Sequence, residues 1–238
     1  MLSSSDEDVF AGLGLGPHHI KRSSTMEQVA EALRLKIVSG AIKPGSPLGE
    51  GALAASAGVS RNTMREVIRQ LAREGLVTHH MHRGALVVLL TARDAEDIFR
   101  VRRTLELTAL EATARLGRDE LSGLADAVEQ IVIAARGSVW GDIVDADLLF
   151  HSRLVAVLGS HRIDRFYRGV EDELRLCLSI VDREDEEPAA IVAEHQELLQ
   201  LILDGEQARC AEIMAGHLAE SEERLKRILP ADSDALLS

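Results

Sequence analysis

Apolar and basic side chains alternate at helical spacing between residues 60 and 75. The apolar positions share one face of a helix: Met64, Val67, Ile68 and Leu71. The basic positions recur every fourth residue on the opposite face: Arg61, Arg65 and Arg69. Ser60 is a good N-cap and Gly75 a natural left-handed stop, which predicts a helix of about fifteen residues. One face of this helix suits a core and the other suits an anion.

The flanking segments predict two more helices and a hairpin. Val29, Leu33 and Ile37 form an apolar stripe that ends at Gly40, after a capping-box spacing at 25–28. The other elements are a short helix over 50–57, which Gly58 turns into the central helix, and β-prone runs over 76–78 and 85–89, separated by the polar tip 79–84. Short helix, tight turn, basic helix and hairpin together predict a winged helix-turn-helix.

The rest of the chain predicts helices only. The segments are 94–116, 119–135, 142–158, 161–181, 188–203 and 206–229, broken by glycines, an acidic run and Pro230. Short connections favour an antiparallel bundle of six helices. The expected fold is therefore mainly α, with a winged helix-turn-helix domain at 23–90 and a helical domain at 91–230. We expect flexible segments at 1–22 and 231–238.

The net charge of the chain is −12, but the two regions carry charge of opposite sign. Residues 23–90 hold eight Lys/Arg against five Asp/Glu, a net of +3, whereas residues 91–238 hold seventeen against thirty-one, a net of −14. A polyanion would be attracted to the first region and repelled by the second. We therefore expect the acidic region to have a function other than DNA binding.

Composition is that of a globular protein, with 46% apolar and 28% charged residues. No apolar run reaches the roughly eighteen residues needed to span a bilayer, and the N-terminus lacks the basic stretch of a signal peptide. We therefore expect a cytoplasmic protein without a membrane partner. Cys177 and Cys210 are too few and too far apart for a disulfide framework or a Cys-x-x-Cys motif, so we interpret both as reduced packing residues.

The first region resembles the winged-helix domain of GntR-type bacterial transcription regulators. The matching segments are Gly40-Ala41-Ile42-Lys43-Pro44-Gly45, Leu53-Ala54, Gly58-Val59-Ser60-Arg61, Arg65-Glu66 and Glu74-Gly75-Leu76-Val77. The resemblance implies that the central helix enters the major groove of double-stranded DNA and that the wing tip enters the minor groove. The implied DNA-contacting residues are Ser60, Arg61, Asn62, Arg65 and Arg69 on the helix, with Arg83 and Gly84 on the wing.

Two positions depart from that family pattern. Many relatives have Thr-Pro after the first arginine, whereas this chain has Asn62-Thr63. The position after Glu50, often basic or polar, is Gly51. We therefore expect an altered or weaker set of DNA contacts from the second helix.

Histidines in the acidic region predict a metal site. Asp147 and His151 are four apart in one predicted helix and point the same way, while His195 and His217 lie in two later helices. A single buried histidine is usually a satisfied core residue. Three imidazoles and a carboxylate together would supply most of the coordination shell of a divalent ion, for which zinc is the first expectation and nickel or iron the alternatives.

The acidic region also resembles the FCD effector domain of the FadR-type branch of that family, in its six-helix, VanR-like variant. The matching motifs are Arg102-x-x-Leu105-Glu106, Asp147-x-x-Phe150-His151, Glu194-His195 and His217-Leu218. The resemblance assigns metal binding to Asp147, His151, His195 and His217, and it implies a carboxylate effector at the open positions of the ion. Arg102 is a second candidate anchor for that carboxylate, or else it pairs with a glutamate of the bundle.

Together these observations predict a DNA-binding transcription regulator, acting as a repressor, that is controlled by a small organic acid held at a metal ion and is not an enzyme. As a homodimer it would read an inverted-repeat operator. One alternative is a regulator with an apolar or acyl effector and no metal. The other is a metallohydrolase, since a metal with open positions activates water, although no general base is evident beside the cluster.

Overall fold

The computed structural model describes residues 24–81, 83–137, 139–179 and 187–231. The terminal segments expected to be flexible, 1–22 and 231–238, lie outside these ranges except for Ala231. The chain divides into two compact units between Leu89 and Leu90.

Helices and one hairpin form the first unit. The elements are α1 (Thr25–Val38), α2 (Glu50–Ala57), α3 (Arg61–Arg73), β1 (Val77–His80) and β2 (Gly84–Val87). Both α1 and α2 pack on α3, because the apolar face of α3 is buried against them. Val67 and Leu71 of α3 are 0% exposed, as is Ile37 of α1. The hydrophobic pattern of α3 therefore defines the core of this unit.

Local hydrogen bonds explain where the helices begin. Ser60 Oγ accepts the N–H of Thr63 at 3.1 Å and caps α3, while Gly75 adopts a φ of 83° just after that helix. The capping box of α1 lies one residue earlier than the sequence predicted. Ser24 Oγ accepts from the Glu27 N–H at 3.3 Å, and the Glu27 carboxylate accepts from the Ser24 N–H at 2.7 Å.

The wing is an antiparallel pair in which Val77 lies opposite Val87 and His80 opposite Gly84. The tip is shorter than predicted, because residues 79 and 80 belong to β1. The connector before α2 pairs with the other edge of β2, where the Leu48 N–H donates to the Ala85 carbonyl at 2.8 Å. This third segment protects a sheet edge that would otherwise be open.

The second unit is a bundle of helices. Its elements are α4 (Ala92–Thr113), α5 (Ser122–Ala135), α6 (Trp140–Ala156), α7 (His161–Ser179), α8 (Pro188–Asp204) and α9 (Gln207–Ile228). The most extensive helix packing is between α9 and α4 and between α5 and α6, while α6 also packs on α4 and α7. The Ala92 N–H donates to the Pro230 carbonyl at 2.9 Å and joins the start of α4 to the second residue after α9. The predicted fold class, a winged helix-turn-helix followed by a helical bundle, is confirmed.

Across the described residues, we find no helix that combines the length and the apolar character required to cross a membrane.

Candidate metal centre and nucleic-acid interface

The basic face of α3 lies on the surface of the first unit. Of the residues assigned to DNA contact, six are exposed: Ser60, Arg61, Asn62, Arg69, Arg83 and Gly84. Arg65 is partly covered, with 43% of its side chain exposed. The structure thus presents arginines in a row along one helix, which is a geometry suited to phosphates and base edges.

Arg65 is held by an acidic side chain of α2. Its Nε and Nη2 atoms donate to the Glu50 carboxylate at 3.2 and 2.9 Å, and its Nη1 donates to Asn62 Oδ1 at 3.3 Å. The hydrogen bonds to Glu50 raise the pKa of Arg65 above its ordinary value. Because the pair is open to solvent, a phosphate or a guanine can compete with Glu50 for the guanidinium. Sequence reasoning missed Glu50 as the partner of Arg65.

Gly51 lies directly beneath the Arg61 side chain. A Cβ atom placed on Gly51 would lie 3.4 Å from Nη2 of Arg61. On the wing, Gly84 adopts a φ of 77°, a conformation that favours glycine. A side chain at position 51 would therefore begin at ordinary contact distance from Arg61, at the start of α3.

The histidine and aspartate side chains meet inside the bundle. Asp147 and His151 lie on α6, His195 on α8 and His217 on α9. One donor atom from each of the four lies within 4.8 Å of the others. The three imidazole rings form a nearly equilateral triangle, with centroids 5.3 to 5.5 Å apart. The structure thus brings all four sequence-predicted ligands to one point.

Hydrogen bonds fix which nitrogen of each imidazole faces that point. His151 Nδ1 lies 2.6 Å from Glu106 Oε2, and His195 Nδ1 lies 2.9 Å from the carbonyl oxygen of Ile191. His217 Nδ1 lies 3.1 Å from Glu194 Oε2. Carbonyl and carboxylate oxygens can only accept, so each Nδ1 donates and each Nε2 keeps its lone pair for the centre. In metal sites, hydrogen bonds of this kind at the second ring nitrogen orient the histidine ligands.

The central nitrogens lack partners that a folded core would normally supply. The Nε2 atoms of His151 and His195 are buried, and neither has an aligned hydrogen-bond partner within the described ranges. Burial lowers the pKa of His151 to about 4, so this imidazole is neutral and able to bind a metal. Burial opposes protonation of His195 as well, but the Asp147 carboxylate, 3.2 Å away, raises its pKa. Buried nitrogens without partners are costly, and a divalent ion would satisfy them.

The Glu106 carboxylate connects the histidines to a wider buried network. Besides His151, it accepts from Arg102 Nε at 2.7 Å and from the Tyr167 hydroxyl at 2.6 Å. Burial opposes ionisation of Glu106, but Arg102 and His151 hold its pKa below the usual range. From the sequence, Glu106 was recognised only as part of a motif, without its bond to His151. The contribution of Tyr167 to this network was not predicted. The spacing of four between Arg102 and Glu106 was the available signal for the pair.

Arg102 forms the ion pair that was one of the two roles considered from the sequence. It forms the buried ion pair with Glu106, and its guanidinium lies 5.1 Å from the centre of the Phe99 ring. Its Nη2 atom is buried and has no hydrogen-bond partner among the residues described. One edge of the guanidinium is therefore committed to Glu106, and the other can receive an anion.

A cavity of about 550 Å³ lies between α4, α6, α7, α8 and α9. Arg102, Asp147 and His217 form part of its lining, so it reaches the edge of the histidine cluster. Its volume falls within the range of small-molecule sites. The bundle thus has a ligand-sized space that adjoins the candidate metal centre.

Comparison with known families identifies both units. Residues 25–87 match the model of bacterial regulatory proteins of the gntR family, and residues 97–220 match the FCD domain. The chain belongs to the GntR family of bacterial regulatory proteins with a C-terminal FCD domain, and it is a DNA-binding transcriptional regulator.

Individual relatives agree with this assignment. The chain is 27% identical over 204 residues to the HTH-type transcriptional regulator YdhC of Bacillus subtilis (strain 168), covering 85% of this chain and 91% of that protein. It is 34% identical over 137 residues to the gluconate operon transcriptional repressor of Bacillus licheniformis, covering 57% and 56%. A crystal structure of a GntR regulator from Rhodococcus sp. RHA1 superposes with a TM-score of 0.77 at 28% identity, covering 85% of this chain and 98% of that chain. These proteins are regulators, which confirms the expectation that the chain is not an enzyme.

Proposed function

We propose that this chain is a homodimeric repressor whose affinity for its operator is set by a small carboxylate bound at a divalent metal ion. The observation that carries the proposal is the convergence of three imidazole Nε2 atoms on Asp147 inside the bundle. Each Nε2 is directed there by a hydrogen bond at Nδ1. An ion between the rings would accept the lone pairs of all three Nε2 atoms and a carboxylate oxygen of Asp147.

Asp147, His151, His195 and His217 would hold the ion. A set of three nitrogen donors and one oxygen donor favours zinc first, with nickel or iron as alternatives. When bound, the ion would supply a Lewis-acidic positive charge that accepts a carboxylate oxygen. The cavity beside Asp147 and His217 gives such a carboxylate room to approach. Nη2 of Arg102, buried in the wall of the same cavity, would donate to its second oxygen.

The DNA-binding role belongs to residues 23–90 and the effector role to residues 91–230. We propose that Ser60, Arg61, Asn62, Arg65 and Arg69 contact the major groove and that Arg83 and Gly84 contact the minor groove. A two-fold dimer would place one α3 in each half-site of an inverted repeat. We assign repression rather than activation because the gluconate operon relatives from Bacillus licheniformis and Bacillus subtilis are named transcriptional repressors. Because its target is bacterial DNA, the protein would work in the cytoplasm.

The carboxylate must prefer one state of the dimer over another. A ligand that binds the DNA-competent and DNA-incompetent states equally would leave repression unchanged. In a metal-free regulator with an acyl effector, the buried Nε2 of His151 would stay unsatisfied, and the Nε2 of His195 would have only the Asp147 carboxylate as a partner. Their burial in the described structure therefore favours the metal-dependent form of regulation.

Elemental analysis of untagged protein tests the metal directly. We expect the wild-type chain to retain a divalent ion and His195→Ala to lose it, with a thermal midpoint several degrees lower because metal binding stabilises the folded state. His161→Ala is the matched control, since this imidazole is fully exposed on α7. Equal metal content in His195→Ala and His161→Ala would contradict the site.

A second experiment tests the regulation. Duplex DNA selected from random sequence by the full-length protein supplies an operator, and its binding is measured with metal, with chelator, and with metal plus a panel of carboxylic acids. We expect an inverted repeat among the selected sequences and a change in operator affinity with at least one acid. Affinity that ignores chelator and every acid would refute the proposed control.

A further inference from the structure

Arg65 differs from the other two arginines in the row on α3 by the partner that holds it. Its partner, Glu50, is the first residue of α2, so the pair joins two helices. Arg69 bonds Glu66, which lies one turn earlier on α3 itself. Arg61 forms no ion pair with any residue that the structure describes. Within the described ranges, Arg65 is thus the arginine of this row whose position is set by a second helix.

The Glu50 carboxylate occupies one side of the Arg65 guanidinium. Both carboxylate oxygens lie 3.2 Å from Nε, and Oε2 lies 2.9 Å from Nη2. The Nη1 atom donates to Asn62 Oδ1 at 3.3 Å. A guanidinium has five N–H groups, so these bonds leave one N–H on each terminal nitrogen. The Arg65 side chain is 43% exposed, so a ligand can reach it from solvent.

A guanine and a phosphate place different demands on an arginine that is held in this way. The major-groove edge of guanine offers two neutral acceptors, O6 and N7, which the two remaining donors can bond while Glu50 keeps its place. A phosphate is an anion, so the Glu50 carboxylate repels it. A close contact between Arg65 and a phosphate therefore requires that Glu50 is displaced.

The approach of DNA makes that displacement unfavourable. Breaking an exposed ion pair costs little by itself. The displaced Glu50 carboxylate, however, would face the polyanion without its counter-charge. Glu50 also lies in the first turn of α2, where the helix dipole favours a carboxylate. Both effects keep Glu50 beside Arg65 when the helix enters the groove.

We propose that Glu50 is a specificity-determining residue of the DNA interface, because it holds Arg65 so that Arg65 reads a guanine and does not grip a phosphate. The inference rests on the proposed function, since it takes Arg65 to lie in the major groove. Glu50 is a positioning residue that acts through Arg65. Its presence would raise the ratio of operator affinity to non-specific affinity, at a loss of total affinity for DNA.

Two variants of Glu50 separate its position from its charge. Glu50→Gln removes the charge at constant length, whereas Glu50→Asp keeps the charge but withdraws it from Arg65. Fluorescence anisotropy measures the affinity of each full-length variant for the selected operator and for a scrambled duplex. We expect both variants to lose about 5- to 20-fold in the ratio of operator affinity to scrambled affinity.

The scrambled duplex gives Glu50→Gln a second signature. We expect this variant to bind scrambled DNA about 2- to 5-fold more tightly than the wild type, because Arg65 is then free to contact a phosphate. The added contact should steepen the dependence of log affinity on log salt by about 0.9. Loss of specificity together with a gain in non-specific affinity is not the result of a general weakening of the fold.

A double-mutant cycle shows whether Glu50 acts through Arg65. In an Arg65→Ala background, Glu50→Gln should no longer change the affinity ratio. In the matched Arg61→Ala background, Glu50→Gln should still lower it. Replacement of each half-site guanine by 7-deazaguanine, which lacks the N7 acceptor, locates the base. At the position that Arg65 reads, this replacement should weaken binding by the wild type and leave binding by Arg65→Ala unchanged.

The outcomes separate failure of this inference from failure of the proposed contact. If Arg65→Ala leaves operator affinity unchanged, the proposed contact fails first, and this inference fails with it. If Arg65→Ala weakens operator binding while Glu50→Asp keeps the wild-type ratio, Glu50 acts only by its charge and the inference is overturned. If Glu50→Gln lowers the ratio equally with and without Arg65, the inference is also overturned, because Glu50 would not act through Arg65.

Discussion

The two units place their titratable side chains in opposite environments. In the first unit, Arg61 and Arg69 lie on the surface, and the pairing of Arg65 with Glu50 is open to solvent. In the second unit, Glu106, His151 and His195 are all 0% exposed. Charges on the surface can exchange partners at little cost, whereas buried charges must be satisfied where they lie. A surface pair can thus give up its partner to an incoming phosphate, whereas the buried groups keep the partners that packing gives them.

Among the variants that test this comparison, Glu106→Gln is expected to cause the largest loss of metal affinity and of stability. Arg102 and Tyr167 both donate to Oε1 of Glu106, so the glutamine would keep its oxygen there and direct its NH₂ group at His151. His151 would then accept at Nδ1 and carry its proton on Nε2, the atom that the proposed site assigns to the metal. We expect a loss of 10- to 100-fold in zinc affinity. Stability should fall by about 3–5 kcal/mol because Arg102 loses its buried counter-charge.

Tyr167→Phe is the matched control for that variant. It removes one hydrogen bond to Glu106 but keeps the anion and the tautomer of His151. Zinc titration and chemical denaturation should show near-normal metal affinity and a loss of about 1 kcal/mol. If both variants bound zinc as the wild type does, the buried network would have no part in the metal site.

Arg65→Ala is expected to have the next largest effect. If Arg65 contacts a base edge as proposed, its loss should weaken specific operator binding by about 5- to 150-fold with the fold intact. Lys36→Ala removes the same charge from exposed α1 and should have a much smaller effect. Fluorescence anisotropy on the selected operator measures both. Equal losses would mean that Arg65 contributes only charge.

Glu173 extends the comparison to a partly buried carboxyl group that is not part of the histidine cluster. Burial, with repulsion from Asp94, Asp172 and Asp97, raises the pKa of Glu173 to about 7. The folded state therefore favours its protonated form, so stability from this group is present below about pH 4.5 and is lost as pH rises through 7.

Replacement of Glu173 with glutamine should accordingly stabilise the protein at pH 8 and be nearly neutral at pH 5. Because the side chain is only partly buried, we expect about 1 kcal/mol, or a few degrees in the thermal midpoint. Glu129→Gln, at an exposed position of α5, should change neither value. A stabilisation that is the same at both pH values would show that ionisation of Glu173 is not its cause.

The smallest effect is expected from Gly51→Lys. The new Cβ would lie at ordinary contact distance from the Arg61 guanidinium, so the side chain fits and adds a cation beside α3. One added phosphate contact should steepen the dependence of log affinity on log salt by about 0.9. Gly51→Gln controls for bulk without charge. An unchanged salt dependence would place residue 51 away from the phosphate backbone.

Sequence periodicity was sufficient for the fold but not for the outer parts of the sites. The apolar stripe of α3 and its cap at Ser60 are local signals, and the structure confirms the helix that they predict. The spacing of Asp147 and His151 on one helix is equally local. The hydrogen-bond partner of His151 is Glu106, 45 positions away in the sequence. The partner of His195 is a backbone carbonyl, which no residue type in the sequence indicates. Such contacts depend on how helices pack, and a linear pattern does not record that packing.

The same limit applies to the first unit. The pairing of Arg65 with Glu50 depends on the seating of α2 against α3, and the pairing of Leu48 with β2 depends on the path of the connector. At α1, two overlapping capping patterns fit the sequence, and only the geometry distinguishes Ser24 from Thr25 as the cap. Local chemistry therefore predicted the elements, while tertiary packing selected their partners.

The hydrogen bond from Ala92 to Pro230 brings the entry and the exit of the bundle together. Chain ends that lie side by side are the condition under which a protein tolerates circular permutation. A short linker from Pro230 to Leu90, with new ends opened between α6 and α7, would change the order of the helices along the chain. The second unit therefore meets the geometric condition for circular permutation.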